Sequence, residues 1–253
     1  MLKRLIYLSL LFVLPLLSFG KDKEQTLFEQ GNSLYAKADY KGAVSSYQKI
    51  LNEGYQSEAV YFNLGNAYYK LGEIPSALLY YEKARKLAPG DDDINFNIQF
   101  ANLKTTDKID DAPQLFLVNW WHSIILAMSV NTLSTLSILF FLLGFGSLAY
   151  YLFAQSITLK KVSFYSGIVI IILGLTTIFI AGRQRAYFES HHEAIVFNAS
   201  VTAKSGPDNN AKNLFVIHDG TKVTVVENNN GWIKIRLING SEGWITLADA
   251  KEI

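Results

Sequence analysis

His191-His192-Glu193 is the densest run of metal-ligand residue types in the chain. Adjacent side chains of an extended segment point to opposite faces, and no distant pair of ligands matches it, so the run reads as a solvated linker. His122 follows Trp121 inside an uncharged stretch and reads as an interfacial histidine, not a general base. Cysteine is absent, which removes disulfides, thiol nucleophiles, cysteine-ligated zinc and a lipidated N-terminal cysteine. Glycine-rich phosphate loops are missing too: Gly144, Gly146, Gly167 and Gly174 fall in apolar runs, where small residues let helices approach. Neither Gly144 with Leu148 nor Gly167 with Ile171 completes a small-xxx-small pair, so these glycines say little about oligomers. The net charge is +1 and no soluble part carries a nucleic-acid footprint. No enzyme, cofactor or metal site is expected. Recognition remains: Asn32, Asn63 and Asn66, able to pair with a peptide backbone in either polarity, stand among Phe28, Tyr35, Phe62, Tyr69 and Lys70.

Those residues recur because their surroundings recur. Gly31, Ala43 and Tyr47 return as Gly65, Ala77 and Tyr81, a register of about thirty-four residues that marks a repeated pair of antiparallel helices. Small residues serve where two helix backbones approach, and Leu27, Leu34 and Tyr47, then Tyr61, Leu64, Tyr68 and Tyr81, recur at helical intervals to fill the interiors. Residues 58–91 resemble the tetratricopeptide family through Tyr61, Leu64-Gly65, Tyr68, Ala77, Tyr81, Ala84 and Pro89. Residues 24–57 are looser, with Gln30 for the usual leucine and Tyr55 for the closing proline. The resemblance implies a concave, protein-binding face on the first helices, made of Phe28, Asn32, Tyr35, Phe62, Asn63, Asn66, Tyr69 and Lys70. One variant of the family clamps a C-terminal carboxylate with lysine and asparagine; here Asn32 and Asn63 match, but Phe28, Asp93 and Asn97 replace its cations. A carboxylate would be desolvated with little return, so that ligand is rejected.

Two hairpins leave an apolar side open, since about three units are needed for independent stability. Residues 92–104 are expected to close it, with Asp91 to Asp93 suiting a helix start and Ile94, Phe96, Ile98, Phe100 and Leu103 forming a mostly helical stripe. The repeat domain with its cap thus runs over 24–104.

Half the residues are hydrophobic, unevenly placed. Residues 1–20 read as a secretory signal: Lys3 and Arg4 precede an apolar run, and Ser18-Phe19-Gly20 offers small residues for cleavage. From Ala112 to Leu159 no side chain is charged apart from the titratable His122, too long a stretch for one crossing. It divides at Ser129-Val130-Asn131-Thr132, where Ser129 or Asn131 can cap a helix. Residues 114–128, with paired Trp120 and Trp121, read as an interfacial amphipathic segment, and 132–154 as a transmembrane helix. A second span covers 162–181. Lys160 and Lys161 between the spans, and Arg183 and Arg185 after them, pull opposite sides toward the cytoplasm. The signal breaks this tie and exports both soluble parts.

After Arg185 the pattern alternates. Residues 196–203, 222–226, 232–237 and 243–245 read as short strands, with Asn228-Asn229-Asn230-Gly231 and Asn239-Gly240 as turns. A small barrel over 194–253 is the economical architecture. Gly231-Trp232-Ile233-Lys234-Ile235 and Gly243-Trp244-Ile245, with Val201 to Pro207, resemble the bacterial SH3 family. Trp232 and Trp244 either stack a ligand or fill the core, and the alternation favours the core for at least one. The expected fold is therefore multi-domain: α-helical tetratricopeptide hairpins, a two-helix membrane hairpin and a small all-β SH3-like barrel.

The order of these parts resembles the BatE-type proteins of the Bat (aerotolerance) systems. That resemblance implies a bacterial cytoplasmic (inner) membrane protein with its soluble domains on the periplasmic side. It also implies partners among membrane proteins carrying von Willebrand A domains and, indirectly, a MoxR-type ATPase. The residues alone leave two functions open: a non-enzymatic adaptor that docks proteins, or an envelope protein whose barrel binds peptidoglycan.

Overall fold

The computed structural model describes residues 23–110, 112–113 and 115–253; the signal reading lies outside them. The fold is multi-domain, mainly helical, with a C-terminal antiparallel β-domain. The chain divides between Tyr55 and Gln56 into two compact units.

The first unit contains α1 (Lys23–Ala36) and α2 (Tyr40–Asn52). Gly31 is buried under the Tyr47 ring, with no space for a Cβ, and Ala43 is sealed. Asp39 accepts from the Gly42 N–H and starts α2.

The second unit opens with the same construction in α3 (Glu58–Leu71) and α4 (Ile74–Leu87). A Cβ on Gly65 would stand 2.5 Å from Tyr81 Cδ1, so the tyrosine lies over the glycine in both hairpins. Ser57 caps α3, accepting from the Val60 N–H, and Gly72 ends it in a left-handed conformation at φ 79°. α5 (Asp92–Asn102) follows, capped by Asp91 accepting from the Ile94 N–H.

The apolar part consists of α6 (Phe116–Ile125), α7 (Val130–Phe153) and α8 (Ile157–Ser190). α7 and α8 are long and apolar enough to cross a membrane. Ser129 caps α7, accepting from the Thr132 N–H. α8 continues well past residue 181: its 34 residues span about 51 Å, more than a hydrocarbon core of about 30 Å. No proline interrupts residues 182–190, and an Arg185–Glu189 pair at 2.7 Å supports the extra turns.

Seven strands make the β-domain: β1 (Glu193–Val196), β2 (Ser200–Lys204), β3 (Asn213–His218), β4 (Lys222–Asn229), β5 (Trp232–Arg236), β6 (Glu242–Thr246) and β7 (Ala250–Glu252). Their order is β3-β2-β6-β5-β4-β1-β7. The expected strand over 196–203 is instead broken at residues 197–199. There the chain turns a corner, because β1 pairs with β4 and β7 while β2 pairs with β3 and β6. Asn230 and Gly231, at φ 47° and 85°, make the β4–β5 turn. Val201, Ile217, Val223, Ile233, Ile235 and Ile245 form the centre of the core.

Candidate partner-binding surface

In the first hairpin, Asn32 Oδ1 accepts from the Tyr47 hydroxyl at 2.7 Å, Phe28 tilts against Tyr47, and Tyr35 meets Tyr40 edge-on. Burial, aided by Tyr40, pushes the Tyr35 hydroxyl above its ordinary value. In the second hairpin the same bond joins the Tyr81 hydroxyl to Asn66 Oδ1 at 2.8 Å, and Phe62 tilts against Tyr81. The paired asparagine and tyrosine are therefore a repeated brace within each hairpin. Asn66 Oδ1 also accepts from Asn97 Nδ2 at 3.0 Å, which ties α5 to α3. Asn63 is half-buried and Lys70 exposed.

The ring of Tyr69 leads into a feature that the sequence assigned otherwise. Ile94, Ile98 and Ala101 supply the buried face of α5, whereas Phe96, Phe100 and Leu103 are 64%, 46% and 70% exposed. The expected capping stripe thus splits in two. Tyr69 lies 5.6 Å from Phe100, and Phe100 stacks on Phe96 at 6.1 Å. Phe96, Phe100 and Leu103 follow at i, i+4 and i+7, so they share one face of α5 and continue the row that α3 begins. Phe96 and Phe100 stand open to solvent with Tyr69 half-buried beside them, a row of rings that offers large contact area with few rotors to freeze.

The opposite side of the second hairpin is occupied. Asp107, just beyond α5, accepts from the Thr221 hydroxyl at 2.6 Å and the His218 backbone N–H at 2.7 Å, and His218 Nδ1 lies 2.8 Å from its other oxygen. Burial pushes the Asp107 carboxyl up, but these hydrogen bonds outweigh it and hold the carboxyl below its ordinary 3.8. Glu82 of α4, with its side chain 5% exposed, pairs with Arg85 at 2.5 Å and with Lys222 of β4 at 3.5 Å; Lys222 also reaches Glu193 at 2.9 Å. Lys86 Nζ donates to the Ile253 carbonyl. The second hairpin and the barrel are therefore joined, and both lie on one side of any bilayer that α7 and α8 cross.

On the barrel, alternation along β5 and β6 sends Ile233, Ile235 and Ile245 into the core and puts Trp232 and Trp244 on the other face. Trp244 is buried there nonetheless, and Trp232 half-buried. Neither belongs to the central core, which branched aliphatic residues fill instead. His191 and His192 turn to different partners, the Tyr187 carbonyl and Glu252, while Glu193 faces Lys222.

Comparison with known sequences agrees with this division. The tetratricopeptide repeat pattern matches residues 59–91, and the bacterial SH3 domain pattern matches residues 200–249. No curated protein matches the chain. Among solved structures, the C-terminal SH3 domain of myosin IB from Entamoeba histolytica is similar, with 25% identity, a TM-score of 0.18, and coverage of 25% of this chain and 93% of that one. The two modules support a role in protein interaction or envelope binding, and such modules are typically non-catalytic.

Proposed function

We propose that this protein is a non-enzymatic, membrane-anchored adaptor that docks a partner protein on the face formed by α3 and α5. One observation carries the reading: half-buried Tyr69 of α3 leads into the exposed rings of Phe100 and Phe96 on α5, a continuous aromatic row on a hairpin whose α4 side is held by the barrel. The order of its parts resembles BatE-type proteins, which supports a Bat-type aerotolerance or envelope-stress complex in the bacterial cytoplasmic membrane. Partners there would be membrane proteins with von Willebrand A domains and, through them, a MoxR-type ATPase. Both soluble modules would face the exported side.

A membrane-impermeant cross-linker applied to intact spheroplasts tests docking and sidedness together. The full chain is expected to capture a partner, and Tyr69→Ala/Phe96→Ser/Phe100→Ser is expected to lose it while melting normally. Undiminished capture by the variant removes the aromatic row from the function; capture only after lysis reverses the sidedness. A second reading draws on half-buried Trp232, on the face of β5 turned away from the central core: the barrel would hold peptidoglycan. Sedimentation with purified sacculi that Trp232→Ala abolishes would put that reading first.

A further inference from the structure

α6 is fastened to the membrane hairpin at one height. Gln184 of α8 is fully buried, and its Nε2 donates to the carbonyl of Ile125 at 2.5 Å, an acceptor that the end of α6 leaves without a helical partner, and to that of Met128 at 2.8 Å in the connection to α7. The amide orientation is fixed by this pairing, since the reverse would set Oε1 against two carbonyl oxygens. Oε1 itself is buried with no hydrogen-bond partner, so the contact retains a polar cost that the two donated bonds must outweigh.

Two ring contacts order the faces of α6 along α8. Trp121 meets Phe179, within the apolar stretch, and His122 meets Tyr187, eight residues and about 12 Å farther out. Counting about 100° per residue, Phe116, Trp120, Ile124 and Leu117 form one sector, Trp121 and Ile125 the next, and His122, Asn119 and Ser123 the polar remainder. The polar sector therefore faces outward from the membrane. The first sector stays uncovered, with Phe116 76%, Leu117 70% and Trp120 57% exposed. Only residues 126–129 separate α6 from the apolar α7, which keeps this sector at the level where lipid begins.

We propose that α6 is a depth gauge: it inserts Phe116, Leu117 and Trp120 into the boundary between headgroups and acyl chains, at a height set by Gln184, without selecting lipid charge. Residues 112–129 carry no lysine or arginine, so the insertion of α6 itself rests on apolar area and on the interfacial preference of tryptophan; Arg185 on α8 is paired with Glu189, and exposed Arg183 belongs to α8 and not to the inserted sector. Gly90, pressed against the Ala127 carbonyl, carries that height to the second hairpin.

The chain has no native cysteine, so a spin label placed through Leu117→Cys, Asn119→Cys or Leu142→Cys is unique. In full-length protein reconstituted into phosphatidylcholine vesicles, the label at Leu117 is expected to collide severalfold more often with oxygen than with a polar nickel chelate. The ratio should reverse at Asn119. Substituting phosphatidylglycerol for part of the lipid should leave both ratios unchanged. Gln184→Leu should remove the oxygen preference at Leu117 while the label at Leu142, in the lipid-facing part of α7, keeps its own. Nickel access at Leu117 equal to that at Asn119 would overturn the proposal, as would a label shielded from both reagents, which means protein cover. Dependence on anionic lipid, or an unaltered Leu117 label in Gln184→Leu with α7 intact, would overturn the charge and height claims respectively.

Discussion

The second unit holds together through two interfaces made in opposite ways. Between α7 and α8 the backbones approach at small residues: Gly144 and Gly167 lie against each other's carbonyl oxygens and receive the Ile171 and Leu148 side chains, Ser147 Oγ donates to the Ser163 carbonyl at 2.8 Å, and Ser137 Oγ lies 3.4 Å from the Gly174 carbonyl. Between the second hairpin and the barrel, Glu82, Arg85, Lys222, Glu193, Asp107 and His218 meet. The difference reflects the solvent each replaces. Lipid tails are as apolar as leucine, so burying more apolar surface gains nothing there and close approach of backbones must hold the helices. In water, partly exposed charges can pair without the full desolvation cost of a deep interior. The first interface should therefore fail when volume is added and the second when charge is removed.

Adding volume is the severest test. A Cβ on Gly144 would lie 2.6 Å from Ile171 Cγ1 and 3.2 Å from the Gly167 carbonyl oxygen. Gly144→Leu is expected to separate the helices at a cost of about 3 kcal/mol or more. Thermal unfolding followed by circular dichroism in mild detergent should show the loss, and Gly146→Leu, with open space around it, should not. Equal effects at the two sites would mean that the close approach does not hold the hairpin.

Much of the architecture is legible because it repeats or alternates. The period between Gly31 and Gly65, the long uncharged runs and the strands around Trp232 and Trp244 each depend on neighbours in sequence. Gly144 and Gly167 face each other from different helices, so spacing within one helix cannot pair them. A stripe of apolar residues does not say which of two faces of α5 will be covered; Ile98 is buried and Phe96 is not. β3 lies outside the four strands expected from alternation, because Leu214-Phe215-Val216-Ile217 is a continuous apolar run with no period of two. Gln184 and Asp107 could not be found this way. Their partners lie 59 and 111 residues off, and a glutamine after an apolar run looks like the ordinary end of a span.

Removing charge at Asp107 comes next in size. Asp107→Asn retains one acceptor oxygen but weakens hydrogen bonds now made to a charged group, a loss of about 2 kcal/mol. The carboxyl is held below its ordinary 3.8 in the folded protein. Its contribution is thus fully present above that value and disappears as pH falls through the lower folded one. The gap between wild type and Asp107→Asn in urea unfolding, followed by circular dichroism, should accordingly be constant near neutrality and close in acid below the ordinary value. A gap that widens in acid would show that the charged form is not the one stabilised.

Lys222→Ala should have the smallest effect, although Lys222 touches both Glu82 and Glu193. Its side chain is 30% exposed, so water already screens the pair, while Glu82 keeps Arg85 at 2.5 Å and is not left as a lone buried charge. The expected loss is about 0.5–1 kcal/mol, and added salt should shrink it. Urea titration at low and high ionic strength measures both. A loss as large as that of Asp107→Asn and indifferent to salt would mean that Lys222 neutralises Glu82 more than Arg85 does. The contact would then depend on one desolvated ion pair, and the contrast with the uncharged α7–α8 interface would lie in the depth of burial as much as in the residue types.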